Sequence, residues 1–536
     1  MLLSFQGEAQ LFQPSKMYTV EDSLRGSITA QRSWWDLTYY HLNVEVFPKQ
    51  KRLYGSVLIE FTAIEEGEVM QIDLQKPMEL IKIIDESGNS LNWTPKGNNA
   101  YWVQCRERIA KGKHSSITCY YQGIPRKAIQ APWDGGLSWS KDNAGNDFIA
   151  TSCQGLGASV WWPCKDHMYD EPDSMRISIE VPNPLVAVSN GRLENVSIQD
   201  DSRIYHWAVK NPINNYGVNM NIAAYADFND SFDGEKGKLD MHFYVLPEDL
   251  EKAKIQFVQA KDMLKAFEHW FGPYPFYEDG YKIVQVPYLG MEHQSSVTYG
   301  NKFANGYLGM DLSGTGWGKK WDYIIIHESG HEWFANNITY KDIADMWIHE
   351  GFTTYSESLF TEYFYGKEAG HEYVIGQRRN IANDAPIIGD YNVNSEGSGD
   401  MYYKGANLLN MIRQINADDE EWRLMLREMN RRFYHTTVTT HDIEEFMSQY
   451  LNLNLQPIFD QYLRTRFIPE LEIKSEKGRH DFRWKNCNKQ FEMPLDIEIN
   501  GKQIRMDVSS EWKTLQGKYK KGKIKINPNY YVNKQK

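Results

Sequence analysis

The sequence predicts a multidomain α+β protein in which all-β regions at both ends flank a mixed α/β centre. Three observations predict it. At 536 residues the chain exceeds what one hydrophobic core organises, which suggests about three domains. Its two ends alternate apolar and polar residues with period two, the pattern of half-buried strands, while its middle places apolar residues at helical spacing. A composition of 41% hydrophobic and 14% aromatic residues is that of a chain that folds.

Residues 1–16 begin MLLSFQGEAQ, a short apolar stretch ending in small residues without a basic start; it reads as the remnant of a clipped export signal or as disordered chain. An N-terminal β domain is expected over 17–228. In HLNVEVF, Leu42, Val44 and Val46 face one way and His41, Asn43 and Glu45 the other, and GSVLIEF, MQIDL, SSITCYY and MRISIEVP repeat the theme. A mixed α/β domain is expected over 229–466. Its register changes near Pro247, where Ala253, Phe257, Ala260, Leu264, Phe267 and Phe271 share a helical face, and Pro247 with Glu248 and Asp249 suits a helix start. From Pro469 alternation returns in ELEIKS, DFRWKN and PLDIEIN, so 467–536 reads as a small β-sandwich.

A net charge of −12 argues against nucleic acid as a partner, because phosphate binding rests on clustered Lys and Arg. No run of eighteen apolar residues occurs, so no membrane-spanning helix and a soluble protein are expected. Five cysteines without a CxxC pair imply no disulfide framework, and Cys153 and Cys164 read as packing residues. The balance leans towards a periplasmic or secreted protein, and the sequence sets no oligomeric state.

The most informative segment is His327-Glu328-Ser329-Gly330-His331, followed after eighteen intervening residues by Glu350. At 3.6 residues per turn His327 and His331 lie one above the other on a helix, so their imidazoles can converge on one ion. Glu350 from a second helix completes a two-His, one-Glu zinc set, one Zn2+ per chain, with the fourth position open for water. Glu328 points about a quarter-turn from the ligand face and is the candidate general base. Chance explains this poorly: an accidental HExxH in such a chain is expected in roughly a few per cent of cases, fewer once the later Glu is required.

Upstream stands Leu289-Gly290-Met291-Glu292-His293. With it the chain resembles the zinc metallopeptidase family of aminopeptidase N and leukotriene hydrolase (gluzincins with HExxH-x18-E), whose members carry Gly-x-Met-Glu-Asn there. Leu289 stands for Gly and His293 for Asn; a ligand role for His293 is disfavoured because the zinc set is already full. The resemblance implies that Glu292 binds the substrate's free α-ammonium, that Gln154 in SCQGLG touches the same group, and that Gly290 and Met291 line the substrate pocket. It maps the family's Tyr-x-Lys-Gly onto Tyr402-Tyr403-Lys404-Gly405, making Tyr402 the expected oxyanion stabiliser and Tyr403 its competitor. His349, in place of the family's Asn before the ligand Glu350, suits a hydrogen-bonding role beside the metal. PCKDHMYDEP departs from the tighter Pro-Cys-x-Asp-Glu-Pro by an insertion. The resemblance also implies a saddle-like N-terminal domain, a thermolysin-like catalytic domain, a short member without the C-terminal helical domain of large relatives, and peptides with a free N-terminus as substrates. The rival readings are an endopeptidase, a non-catalytic binding scaffold and an epoxide hydrolase side activity.

Overall fold

The alternating segments form the sheets expected of them. In the computed structural model, which describes residues 17–476, 479–515 and 524–534, strand Trp35–Phe47 runs antiparallel to Arg52–Ala63 and parallel to Ser174–Pro182. Leu42 faces Val57 on one side and Ile177 on the other, and all three are fully buried. Burial of each such side chain stabilises by about 1.5–3 kcal/mol, which fixes the register, because a one-residue slip would turn the apolar face to water. These strands belong to a seven-stranded sheet, joined by a three-stranded and a four-stranded sheet into an all-β region. The apolar start of the chain lies outside the described residues.

Residues 17–33 tie this region to the rest. Helix Val20–Gly26 opens with a capping box between Thr19 and Asp22. Arg25 pairs with Asp166 and Arg32 with Asp73, each at 2.7 Å, and Lys165 pairs with Asp170. The inserted PCKDHMYDEP segment is therefore anchored by buried ion pairs. Gly26 lies flat against Val393, where a Cβ would come within 2.2 Å of backbone, and Asn394 donates to the Gly155 carbonyl at 3.3 Å.

The central region is built on a five-stranded sheet in the order Ala226–Gly234, Gly237–Val245, Tyr281–Gln285, Val297–Tyr299, Gly290–Met291. The helical stretch after Pro247 is two helices, Leu250–Gln256 and Gln259–Phe271, with Phe257 at the break and still buried. Helical spacing survives the interruption because the chain turns without losing its apolar face. Gln259–Phe271 supports the motif helices: Phe267 meets Trp333 edge-on at 5.7 Å, and Trp270 donates to the Leu359 carbonyl at 3.1 Å.

The last strands form a four-stranded and a three-stranded sheet. Their inward residues, among them Phe482, Trp484 and Leu495, continue the apolar core of the central region. Tyr462 donates to the Tyr531 carbonyl at 2.7 Å across that junction. The fold is thus multidomain α+β, with a β-rich N-terminal part, a mixed centre and a β-sandwich at the end.

Candidate active site

Helix Tyr323–Gly330 carries the first histidine and stops at the second. Asp322 caps it by accepting from the Ile324 and Ile325 amides, and His331 is its C-cap. Phe334 and Ala335 then leave helical geometry. Helix Trp347–Tyr365 crosses it and delivers Glu350 in its first turn.

Glu350 Oε2 lies 3.7 Å from His327 Nε2 and 3.4 Å from His331 Nε2. That oxygen is buried and has no hydrogen-bond partner. Zinc bonds of about 2.0–2.2 Å in a tetrahedron hold ligand atoms roughly 3.3 Å apart, so the carboxylate oxygen stands within a few tenths of an ångström of the separation from each imidazole that the ion requires. An orphaned carboxylate oxygen between two imidazole nitrogens is costly unless a cation joins them. The residues fit a zinc ion.

The far side of each ring is held. His327 Nδ1 is 2.7 Å from Glu357 Oε1, and Glu357 also accepts from Tyr373 and Gln377. His331 Nδ1 is 3.0 Å from the Phe334 carbonyl and 3.1 Å from Thr353 Oγ1. Each Nδ1 thus faces an acceptor and donates its proton there, leaving Nε2 bare towards Glu350. Burial would raise Glu350, but a positive charge beside its Oε2, imidazolium or metal cation, outweighs burial and holds the carboxyl well below its usual range. Glu357 and Thr353 were not among the expected residues. A signal existed: Glu350, Thr353 and Glu357 form a polar stripe at i, i+3 and i+7 of one helix.

Glu328 and Glu292 share a second cluster with His331, their ligand-type atoms all within 4.8 Å of one another. Burial pushes Glu328 up to about 7, with His327 opposing and Glu292 reinforcing the rise. A divalent cation between the histidines would pull it down again. Glu292 is 3% exposed, and its Oε1 has no hydrogen-bond partner. Its backbone carbonyl accepts from Asn336 at 2.8 Å, and the loop after it is fastened by Ser295 N donating to Glu332 at 2.8 Å. Gly290 passes directly over the motif helix: a Cβ there would lie 2.6 Å from Ile324 Cγ2 and 3.2 Å from Glu328 Oε1. Only glycine lets the strand approach so closely.

Gln154 lies in the same cleft, but its amide nitrogen donates to Glu350 Oε1 at 2.9 Å. It therefore touches the ligand carboxylate directly. Met291 is buried in the floor and packs into the N-terminal core. Tyr402 stacks near His327 with centroids 6.2 Å apart; burial raises its hydroxyl well above the usual value, and the nearby negative charge of Glu350 raises it further. Tyr403 lies nearer Glu357 and Tyr307. His293 is buried beside Thr298, outside the metal cluster. His349 accepts from the Tyr340 amide. The cleft holds about 980 Å3, and its rim includes Arg126 and Trp133 from the N-terminal region and Asn394 to Glu396 from the central one. All five cysteines are free, and Cys153 and Cys164 are fully buried. Among the described residues no helix is long and apolar enough to cross a membrane.

This geometry has company among known proteins. The zinc metallopeptidase of Deinococcus radiodurans has the same fold, with a TM-score of 0.68 at 19% identity, covering 82% of this chain and 95% of that one. The probable aminopeptidase 2 of Sulfurisphaera tokodaii is 21% identical over 378 residues, 66% of this chain and 47% of its own length. Leukotriene A-4 hydrolase of Xenopus laevis is 24% identical over 349 residues, 60% of this chain and 54% of its own. The chain thus spans about half the length of these curated relatives. Residues 37–216 match the peptidase M1 N-terminal domain and 255–462 the peptidase family M1 domain, together well over half of the sequence. Since one match spans the β-rich region and the other contains His327, His331 and Glu350, the chain belongs to peptidase family M1, the zinc metallopeptidases that include aminopeptidases and leukotriene hydrolase.

Proposed function

We propose that this chain is a zinc-dependent aminopeptidase that removes the N-terminal residue from peptides. The observation that carries this reading is Glu292: a buried carboxylate with an unpaired oxygen, beside Glu328 and the histidine pair, favours a ligand that brings its own cation. A peptide's α-ammonium supplies one and sets the distance from the chain terminus to the scissile bond.

His327, His331 and Glu350 would hold the metal. Zinc bound there would supply Lewis acidity, polarising the scissile carbonyl and lowering the pKa of water. Glu328 takes the proton of the attacking water and returns it to the departing amine. Tyr402 donates its hydroxyl to the developing oxyanion. Glu292 holds the ammonium with help from Gln154, whose amide also restrains Glu350. Gly290 and Met291 wall the pocket for the first side chain. The Deinococcus relative is described with a Tyr-Ser-Ala substrate bound, a short peptide of the kind proposed here.

Paired aminoacyl anilides with free and acetylated amines, assayed with and without a chelator, test the reading. Free-amine substrates should be cleaved in a chelator-sensitive manner and acetylated ones left intact. Equal cleavage of both would leave an endopeptidase.

A further inference from the structure

Helix Val20–Gly26 touches two loops that line the cleft, residues 153–157 of the N-terminal β region and 389–397 of the central one. On the first, Arg25 is paired with Asp166 at 2.7 Å and donates its other terminal nitrogen to the Gly155 carbonyl at 3.3 Å. Gly157, at φ +92°, leaves the room for this pair, since a Cβ there would overlap both the guanidinium and the carboxylate. On the second, the Asn394 amide donates to the Asp22 carbonyl at 3.3 Å, and the Tyr18 hydroxyl bonds to Ser395 at 3.1 Å and to Asp390. The two loops also meet. Asn394 Nδ2 reaches the Gly155 carbonyl at 3.3 Å, so that one oxygen is held by two donors, one from the N-terminal helix and one from the central region.

This contact divides two spaces. Gly155, Ile343 and Asn394 line the cleft of about 980 Å3 and also a compartment of about 40 Å3. The compartment has room for about one water and for no amino-acid residue. Gly155 follows Gln154, whose amide is bonded to Glu350. Tyr216 and Tyr340 line the small compartment, and their hydroxyls are raised by burial and next by the charge of Glu292. The partition therefore stands at the end of the cleft where Glu292 lies. We propose that Asn394 and Gly155, bolted by Arg25, form an end wall that limits the cleft to one residue on the N-terminal side of the scissile bond. Asn394 is then a specificity-determining residue and Arg25 a positioning residue that acts through Gly155; the inference rests on the aminopeptidase reading. Glu292 attracts an ammonium, and the wall decides how far from the metal that ammonium can stand. A second residue would add about 3.3–3.6 Å of extended chain, which the space behind the wall does not admit.

The peptide Ala-Gly-Leu-Phe, digested by the zinc-loaded chain and followed by mass spectrometry, tests the wall, because stepwise removal of single residues never yields Ala-Gly. The parent should release alanine first. Asn394→Ala leaves the Arg25–Asp166 pair in place and should raise the initial share of Ala-Gly about tenfold from the parental level, the scale of one lost hydrogen bond. Arg25→Ala should raise it further. Arg25→Lys can keep the pair with Asp166 but lacks the fork that reaches Gly155, and it should fall between the parent and Arg25→Ala. Zinc at one per chain marks each variant as folded, and Asn394→Ala, the milder change, decides. An unchanged share of Ala-Gly in that variant overturns the wall and leaves the aminopeptidase reading standing, and so does a slower reaction with the parental product ratio. Ala-Gly as the main first product of the parent contradicts the aminopeptidase reading and the wall with it.

Discussion

The two ends of the cleft are built in different ways. At the metal end, three candidate ligands come from two crossing helices, and the groups that hold their rings, Glu357, Thr353 and the Phe334 carbonyl, lie on those helices or one turn beyond. At the amine end, Glu292 stands on a loop held by Asn336 and Glu332 of the central region and by Asn190 and Asn219 of the N-terminal region, which donate to the Gln294 and Ser296 carbonyls. The first arrangement is local and rigid in itself; the second is only as exact as the docking of the two regions. Chemistry common to metallopeptidases is thus placed on self-contained helices, and the proposed selectivity for a terminus on a junction.

Variants can break or sharpen this contrast. The largest effect is expected for Glu328→Gln, which removes the proposed base without touching a ligand: turnover should fall about a thousandfold or more while bound zinc, measured by atomic absorption, stays at one per chain. Retained turnover would remove Glu328 from that role. Tyr402→Phe should cost about a hundredfold in kcat, and Tyr403→Phe less than about tenfold, since Tyr402 is the one whose ring lies against His327 of the metal cluster. The reverse order would exchange their roles. Glu357→Gln should weaken zinc affinity by about 10–100-fold through the His327 ring, read by competition with a chelator, and leave the ratio of free-amine to acetylated turnover unchanged. A change in that ratio would mean that the two ends are not separable.

The smallest effect concerns acid. Burial depresses both His167 and His293 to about 3. In the unfolded chain each takes up a proton near pH 6.5, whereas in the fold each remains neutral, so their contribution is complete above pH 6.5 and is lost as pH falls. Between pH 6.5 and 5 this costs roughly 2 kcal/mol per histidine. Urea midpoints should be lower at pH 5 than at pH 7.5, and His293→Gln should flatten the dependence; equal midpoints would contradict the assignment.

The contrast also explains what could be read from the sequence. His327, His331 and Glu350 are legible because helix periodicity alone brings i and i+4 together, and Glu357 was available to the same argument one step further along its stripe. The alternating strands were legible for the equivalent reason, with Leu42, Val44 and Val46 buried together. The break at Phe257 was hidden because the apolar spacing continues across it. Glu292, Gln154 and Tyr402 were reachable only through family resemblance. Asn190 and Asn336 carried no local pattern at all, since tertiary approach alone sets their hydrogen bonds to the Gln294 and Glu292 carbonyls, 104 and 44 residues away in the chain.

The central claim is that a metal end and an amine end are separable parts of one cleft, and Glu292→Ala tests it most directly. The variant should keep one zinc per chain and lose about a hundredfold or more in kcat/KM on free-amine anilides. Unchanged kcat/KM, or loss of the zinc together with the activity, would contradict it.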